Sequence, residues 1–138
     1  MDKILFDTDV ILDFFFDRKP FAEDIAKVLS LCETRTVIGY TTPVIISNVY
    51  YLLRKTAPHK AVVKRLETLL NLLDVLSIEK DVILQALSSQ FSDFEDALQN
   101  YSAEKDTSIN FILTRNKKDY KHSKLPIFTA KEYLLSLS

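Results

Sequence analysis

Lys3-Ile4-Leu5-Phe6-Asp7-Thr8-Asp9 sets the frame for the rest of the chain. Its apolar run is too short for a helix and shows no alternation, the pattern of a strand covered on both faces. Two carboxylates follow at once. A strand of this kind belongs in a parallel sheet, and parallel strands need long crossovers, usually helical.

The rest of the chain supplies those crossovers. Residues 10–16 are apolar and aromatic and fit a short helix. Pro20 opens another, with Phe21, Ile25, Val28, Leu29 and Cys32 on one face. The β-branched run 36–40 reads as the second strand. Thr41-Thr42-Pro43 is a helix start, a threonine cap followed by proline in the first turn, and that helix runs to about residue 55. Pro58 starts the next helix, with Val62, Leu66, Leu69, Leu70 and Leu73 facing inward. Residues 74–78 read as the third strand and 79–88 as a helix. A further helix runs from Ser92, its expected cap, to about Lys105. Residues 110–114 form the fourth strand, 126–128 the fifth, and 130–137 a closing helix. Strands alternating with helices define an α/β domain with a parallel sheet and helices on both faces. No linker, repeat or low-complexity segment divides residues 1–138, so a single domain is expected.

Composition removes several function classes. Gly39 is the only glycine, so the glycine-rich loops that cradle phosphates are excluded. One cysteine, Cys32, allows neither an internal disulfide nor a cysteine-rich zinc site. No apolar run reaches membrane-spanning length, and the opening Met1-Asp2-Lys3 has no leader character; a reducing cytoplasm is the expected setting. The net charge of -1 points to no polyanion by itself, but the charge is unevenly placed. Residues 1–34 hold eight acids against four bases. Residues 114–124 hold Arg115, Lys117, Lys118, Lys121 and Lys124 against one acid, Asp119.

In an open parallel sheet the working residues gather at the carboxyl ends of the strands. Asp7 and Asp9 follow the first strand. Ser47 and Asn48 lie one turn into the helix after the second. Asp93, Glu95 and Asp96 open the helix that feeds the fourth, and Asn116 and Asp119 follow that strand. Converging carboxylates repel one another, and a divalent cation resolves the conflict. Oxygen ligands completed by water suit Mg²⁺ or Mn²⁺. Such a site suits phosphodiester hydrolysis. Singly, each residue has a plainer use: Asp93 as a helix cap, Asn116 and Asp119 as turn formers, Asp13 and Asp17 as solvated surface acids. Tyr120 is expected to anchor its loop to the core. Phe14-Phe15-Phe16 cannot all be buried on one helix face, which suggests a partner surface or homodimer.

Together these segments resemble the PIN domain, the nuclease fold of VapC-type toxins. The resemblance rests on residues 4–13, on Ser92-Asp93-Phe94-Glu95-Asp96-Ala97-Leu98-Gln99, on residues 112–120 and on residues 125–134, in order along the chain. It implies a five-stranded parallel sheet of order 3-2-1-4-5 and Mg²⁺- or Mn²⁺-dependent RNA cleavage. Asp7 then takes the place of the first acid and Asp96 of the third. Asn116 stands where the family has a fourth acid or an asparagine, and Asp93 and Asp119 support the site. The basic residues Arg115, Lys117, Lys118 and Lys121 would hold the RNA backbone. The setting implied is a toxin paired with a separate antitoxin protein. One position departs: the second acid, usually a glutamate, falls at Asn48. An amide can coordinate but brings no charge, so metal affinity should fall unless Asp9 or Asp93 compensates. That departure motivates a second reading, a metal-free PIN-like module that binds RNA or protein. A third, a phosphatase of the haloacid dehalogenase type, would use Asp7 as nucleophile and Asp9 as general acid. The chain is short for that fold and lacks its glycine-aspartate motif.

Overall fold

The central strand β1, Lys3–Phe6, has Ile4, Leu5 and Phe6 fully buried, as an unalternating run requires. It is flanked in parallel by β2 (Ile38–Thr41) and β4 (Phe111–Leu113), with Leu5 opposite both Tyr40 and Ile112. β3 (Leu73–Val75) pairs with β2, and β5 (Ile127–Phe128) with β4. The computed structural model describes residues 1–138, and its sheet order is β3-β2-β1-β4-β5, all parallel.

Six helices make the crossovers, α1 (Thr8–Phe15), α2 (Phe21–Glu33), α3 (Pro43–Leu53), α4 (His59–Leu70), α5 (Lys80–Leu87) and α6 (Phe94–Lys105), and α7 (Ala130–Ser136) follows β5. None is long and apolar enough to cross a membrane. Their starts follow local chemistry. Thr42 caps α3 by accepting from the Ile45 amide at 3.2 Å, with Pro43 first in the helix. Thr129 and Glu132 form a reciprocal capping box on α7. The main core joins the sheet to α1, α2, α3 and α4, and a smaller cluster of Val82, Ala86, Ala97 and Leu98 joins α5 to α6.

Gly39 lies inside β2 for lack of space. A Cβ there would sit 2.5 Å from Leu73, 2.8 Å from Phe6 and 2.9 Å from Cys32.

Several local expectations are corrected. The α6 cap is Asp93, not Ser92. Leu73 opens β3 instead of extending the inner face of α4, and Leu70 is exposed. Phe21 does not join the buried face of α2; it lies beneath the guanidinium of Arg115, 4.1 Å from the ring centre. Asp13 is not solvated. It is 1% exposed and paired with Arg115.

Candidate active site

Asp7 leaves β1 at the point where the chain turns into α1. Its Oδ1 accepts from the Thr8 amide at 2.8 Å, capping that helix. The register of β1 with β4 sets Phe6 opposite Leu113, which delivers Thr114 to the same edge. The buried Thr114 hydroxyl lies 3.0 Å from Asp7 Oδ2 and 3.2 Å from both oxygens of Asp9. Asp9 also accepts from the Arg115 amide at 2.9 Å. Burial, and then the charge of Asp9, raises the Asp7 carboxyl to about 7. Burial raises Asp9 as well.

The second arm comes from α6. Asp93 caps the helix, its Oδ1 accepting from the Asp96 amide at 2.9 Å. That fixes the first turn and carries Asp96 to the strand edge. The Asp96 carboxyl is raised to about 7, first by burial and then by the charges of Asp7, Asp93, Asp119 and Glu95. Asp7, Asp9, Glu95, Asp96 and Asn116 line one cavity of about 190 Å³, together with Arg18 and Gln99. The structure therefore brings Asp7, Asp96 and Asn116 together. Asn116 is exposed, and its backbone amide donates to Thr114 Oγ1 at 3.2 Å. Asp119 is exposed on the short 3-10 turn Lys117–Tyr120 and reaches the site through its charge on Asp96. Asn48, on α3, donates through Nδ2 to Glu95 Oε2 at 2.7 Å.

Tyr120 is buried in the core, as expected of a loop anchor. Its phenol has no partner at hydrogen-bonding geometry. Burial and the charges of Asp7 and Asp96 keep it protonated.

The basic segment divides in two. Arg115 does not stand free to hold a phosphate. Its Nε donates to Asp13 Oδ2 at 2.6 Å and its Nη2 to Oδ1 at 2.9 Å, a bidentate pair also approached by Arg18 at 3.4 Å. Lys117 pairs with Glu132 at 3.1 Å on the surface. Lys118 and Lys121 are exposed. Residue-by-residue reading missed the contact of Thr114 with both carboxylates, although its place at the end of β4, level with Asp7, was a usable signal. It also missed Gln99 and the pairing of Glu95 with Asn48, which no local pattern announces.

No three His, Cys, Asp or Glu side chains are gathered closely enough to form a complete ion site by themselves. The donor chemistry nevertheless fits Mg²⁺ or Mn²⁺. Two carboxylates from different elements are pushed toward neutrality by burial and mutual repulsion, and the Asn116 amide lines the same cavity. Mg²⁺ commonly binds through one or two carboxylates and keeps several waters.

Fold and cleft define a class: a parallel α/β domain whose carboxylates converge beyond the central strand. A PIN domain family model matches residues 3–118, and the chain belongs to the PIN domain family. It is 26% identical over 137 residues to "Ribonuclease VapC1" of Aquifex aeolicus (strain VF5), covering 96% of this chain and 93% of that protein. Among solved structures it is similar to VapBC2 from Rickettsia felis bound to a promoter DNA fragment, with a TM-score of 0.70 at 11% identity, covering 92% of this chain and 98% of that one. It is also similar to a toxin–antitoxin complex from Klebsiella pneumoniae, with a TM-score of 0.68 at 20% identity, covering 92% and 97%.

Proposed function

We propose that this chain is a Mg²⁺- or Mn²⁺-dependent endoribonuclease and the toxin of a toxin–antitoxin pair. The observation that carries the reading is the meeting of Asp7 and Asp96 in one cavity, with both carboxyls raised to about 7. Membership of the PIN domain family and the likeness to a protein named a ribonuclease support the same chemistry.

In this reading Asp7 and Asp96 hold the cation, assisted by Asn116 and, through charge, by Asp119. When bound, such a cation acidifies water and offsets charge on a phosphoryl oxygen. The protein's own groups do the positioning. Thr114 holds Asp7 and Asp9 in one arrangement. Asp93 fixes the first turn of α6 and so the position of Asp96. Lys118 and Lys121 hold the RNA backbone, with Lys117 partly engaged by Glu132. Arg115 is given another task, holding the loop after β4 against α1 through Asp13. Asn48 acts on the site through Glu95.

The partners proposed are RNA and a separate antitoxin protein, in the cytoplasm. Phe14, 37% exposed between two surface cavities, is the residue of the triple-phenylalanine run left for a homodimer or partner contact.

The test is Mn²⁺ and Mg²⁺ binding by calorimetry for wild type, Asp7→Asn and Asp96→Asn, followed by cleavage of a labelled RNA pool. The proposal expects wild type to bind and cut, and both variants to lose both properties. A wild-type protein that binds no cation at millimolar concentration and leaves RNA intact would refute it, in favour of a metal-free binding module.

A further inference from the structure

Glu95 lines the acidic cavity from the first turn of α6. Its Oε2 accepts from Asn48 Nδ2 at 2.7 Å, a contact between α3 and α6 across 47 residues of sequence. No lysine or arginine pairs with it, and Oε1 accepts no hydrogen bond from the protein. We propose that Glu95, aimed by Asn48, is one of the cation-holding groups of the cleft. The inference rests on the metal-dependent reading and extends it to a residue on a different helix from the departure at Asn48.

The choice of partner is informative. A lysine or arginine on α3 would fix Glu95 equally well but would neutralise it. An asparagine amide donates a charge-assisted hydrogen bond and leaves the full negative charge in place. A carboxylate in the first turn of a helix is already favoured by the helix dipole and needs no dedicated donor for stability. Its charge in fact works against the apo fold, because it adds to the repulsion on Asp96. A glutamine at residue 95 would make the same contact without that cost. Retaining the charge, and orienting it, makes sense where something positive is to be held.

A second observation points independently to a ligand. Gln99 lies one turn beyond Glu95 on α6, is 1% exposed and lines the same cavity. Its Oε1 is taken by the Thr42 hydroxyl at 2.6 Å, while Nε2 is buried without an acceptor. A buried donor without a partner is costly, and an oxygen-bearing ligand in the cleft would satisfy it.

The experiment is Mn²⁺ titration by calorimetry at neutral pH on the intact chain, with thermal melting to confirm that each variant is folded. Glu95→Gln keeps an acceptor for Asn48 and removes only the charge. It should weaken Mn²⁺ binding about tenfold or more, as should Asn48→Ala, which leaves Glu95 unaimed. The exchange Asn48→Glu with Glu95→Gln returns the charge from the α3 side and should recover most of the loss. If Glu95→Gln binds Mn²⁺ like wild type while Asp7→Asn does not, this inference falls and the metal-dependent reading survives. If wild type binds no Mn²⁺, both fall together.

Discussion

Thr114 has one proton to give and two carboxylates within reach of it. Asp7 and Asp9 are therefore held together by a single hydroxyl, in a site that also presses on Asp96. The consequence for stability has a definite sign. A carboxyl whose folded value is raised is better protonated in the folded state, so stability present under acid conditions is lost as pH rises from the ordinary carboxyl value through about 7. Without divalent cation, the melting temperature should be several degrees lower near about pH 8 than near about pH 5, and added Mn²⁺ should close the gap. Asp7→Asn should flatten the dependence and raise the melting temperature of the cation-free protein at the alkaline end; a flat wild-type profile would count against the buried-charge account. Asp13 is a different case, a buried charge matched by Arg115. Asp13→Ala should cost about 2–3 kcal/mol in a denaturant titration, below the ~3–5 of a fully buried pair because Arg115 is 30% exposed and can rehydrate. Asp7 and Asp96 were readable in the sequence because each closes or opens an element at the sheet's working edge. Asp13 was not. Its partner lies 102 residues away, and a lone aspartate on a helix reads as solvated until that partner is placed.

At the scale of elements, beginnings were more legible than ends. Thr42-Pro43 and the Thr129/Glu132 pair announce α3 and α7 because capping is local chemistry, complete within four residues. Strand limits are set by pairing with a neighbour. The β-branched run at 36–40 suggests its own boundaries, but register with β1 puts Ile38 opposite Lys3 and carries β2 to Thr41. The same dependence explains Ser92 and Asp93: either could cap in isolation, and α6 begins where Asp93 meets the Asp96 amide. Gly39 gives a test at this scale. Gly39→Ala drives a methyl into Leu73, Phe6 and Cys32, side chains from three different elements, and should cost about 1–3 kcal/mol in urea unfolding. A neutral result would mean that β2 can shift away from β1 without loss, which its buried register makes unfavourable.

Across the whole molecule, charge is sorted: carboxylates in the cleft, unpaired lysines on the turn beside it. Under the proposed function, Lys118→Ala with Lys121→Ala should weaken RNA binding across sequences and reduce its salt dependence by about two counterions, read from affinity measured over a salt series. Cation binding should be unchanged, because neither residue lines the acidic cavity. The alternation of elements along the chain was enough to assign the architecture, and the shared edge was enough to nominate the cleft. How the acids divide their work was not legible, because that depends on side chains meeting across long loops. The central strand has a final consequence. β1 is the first strand to be synthesised, yet Asp7 donates its amide to Leu113 and waits for Thr114 to complete its surroundings. On the ribosome, the nascent polypeptide cannot assemble the cleft until that distant segment has left the exit tunnel. A protein with the proposed activity would thus remain harmless to its own messenger for most of translation.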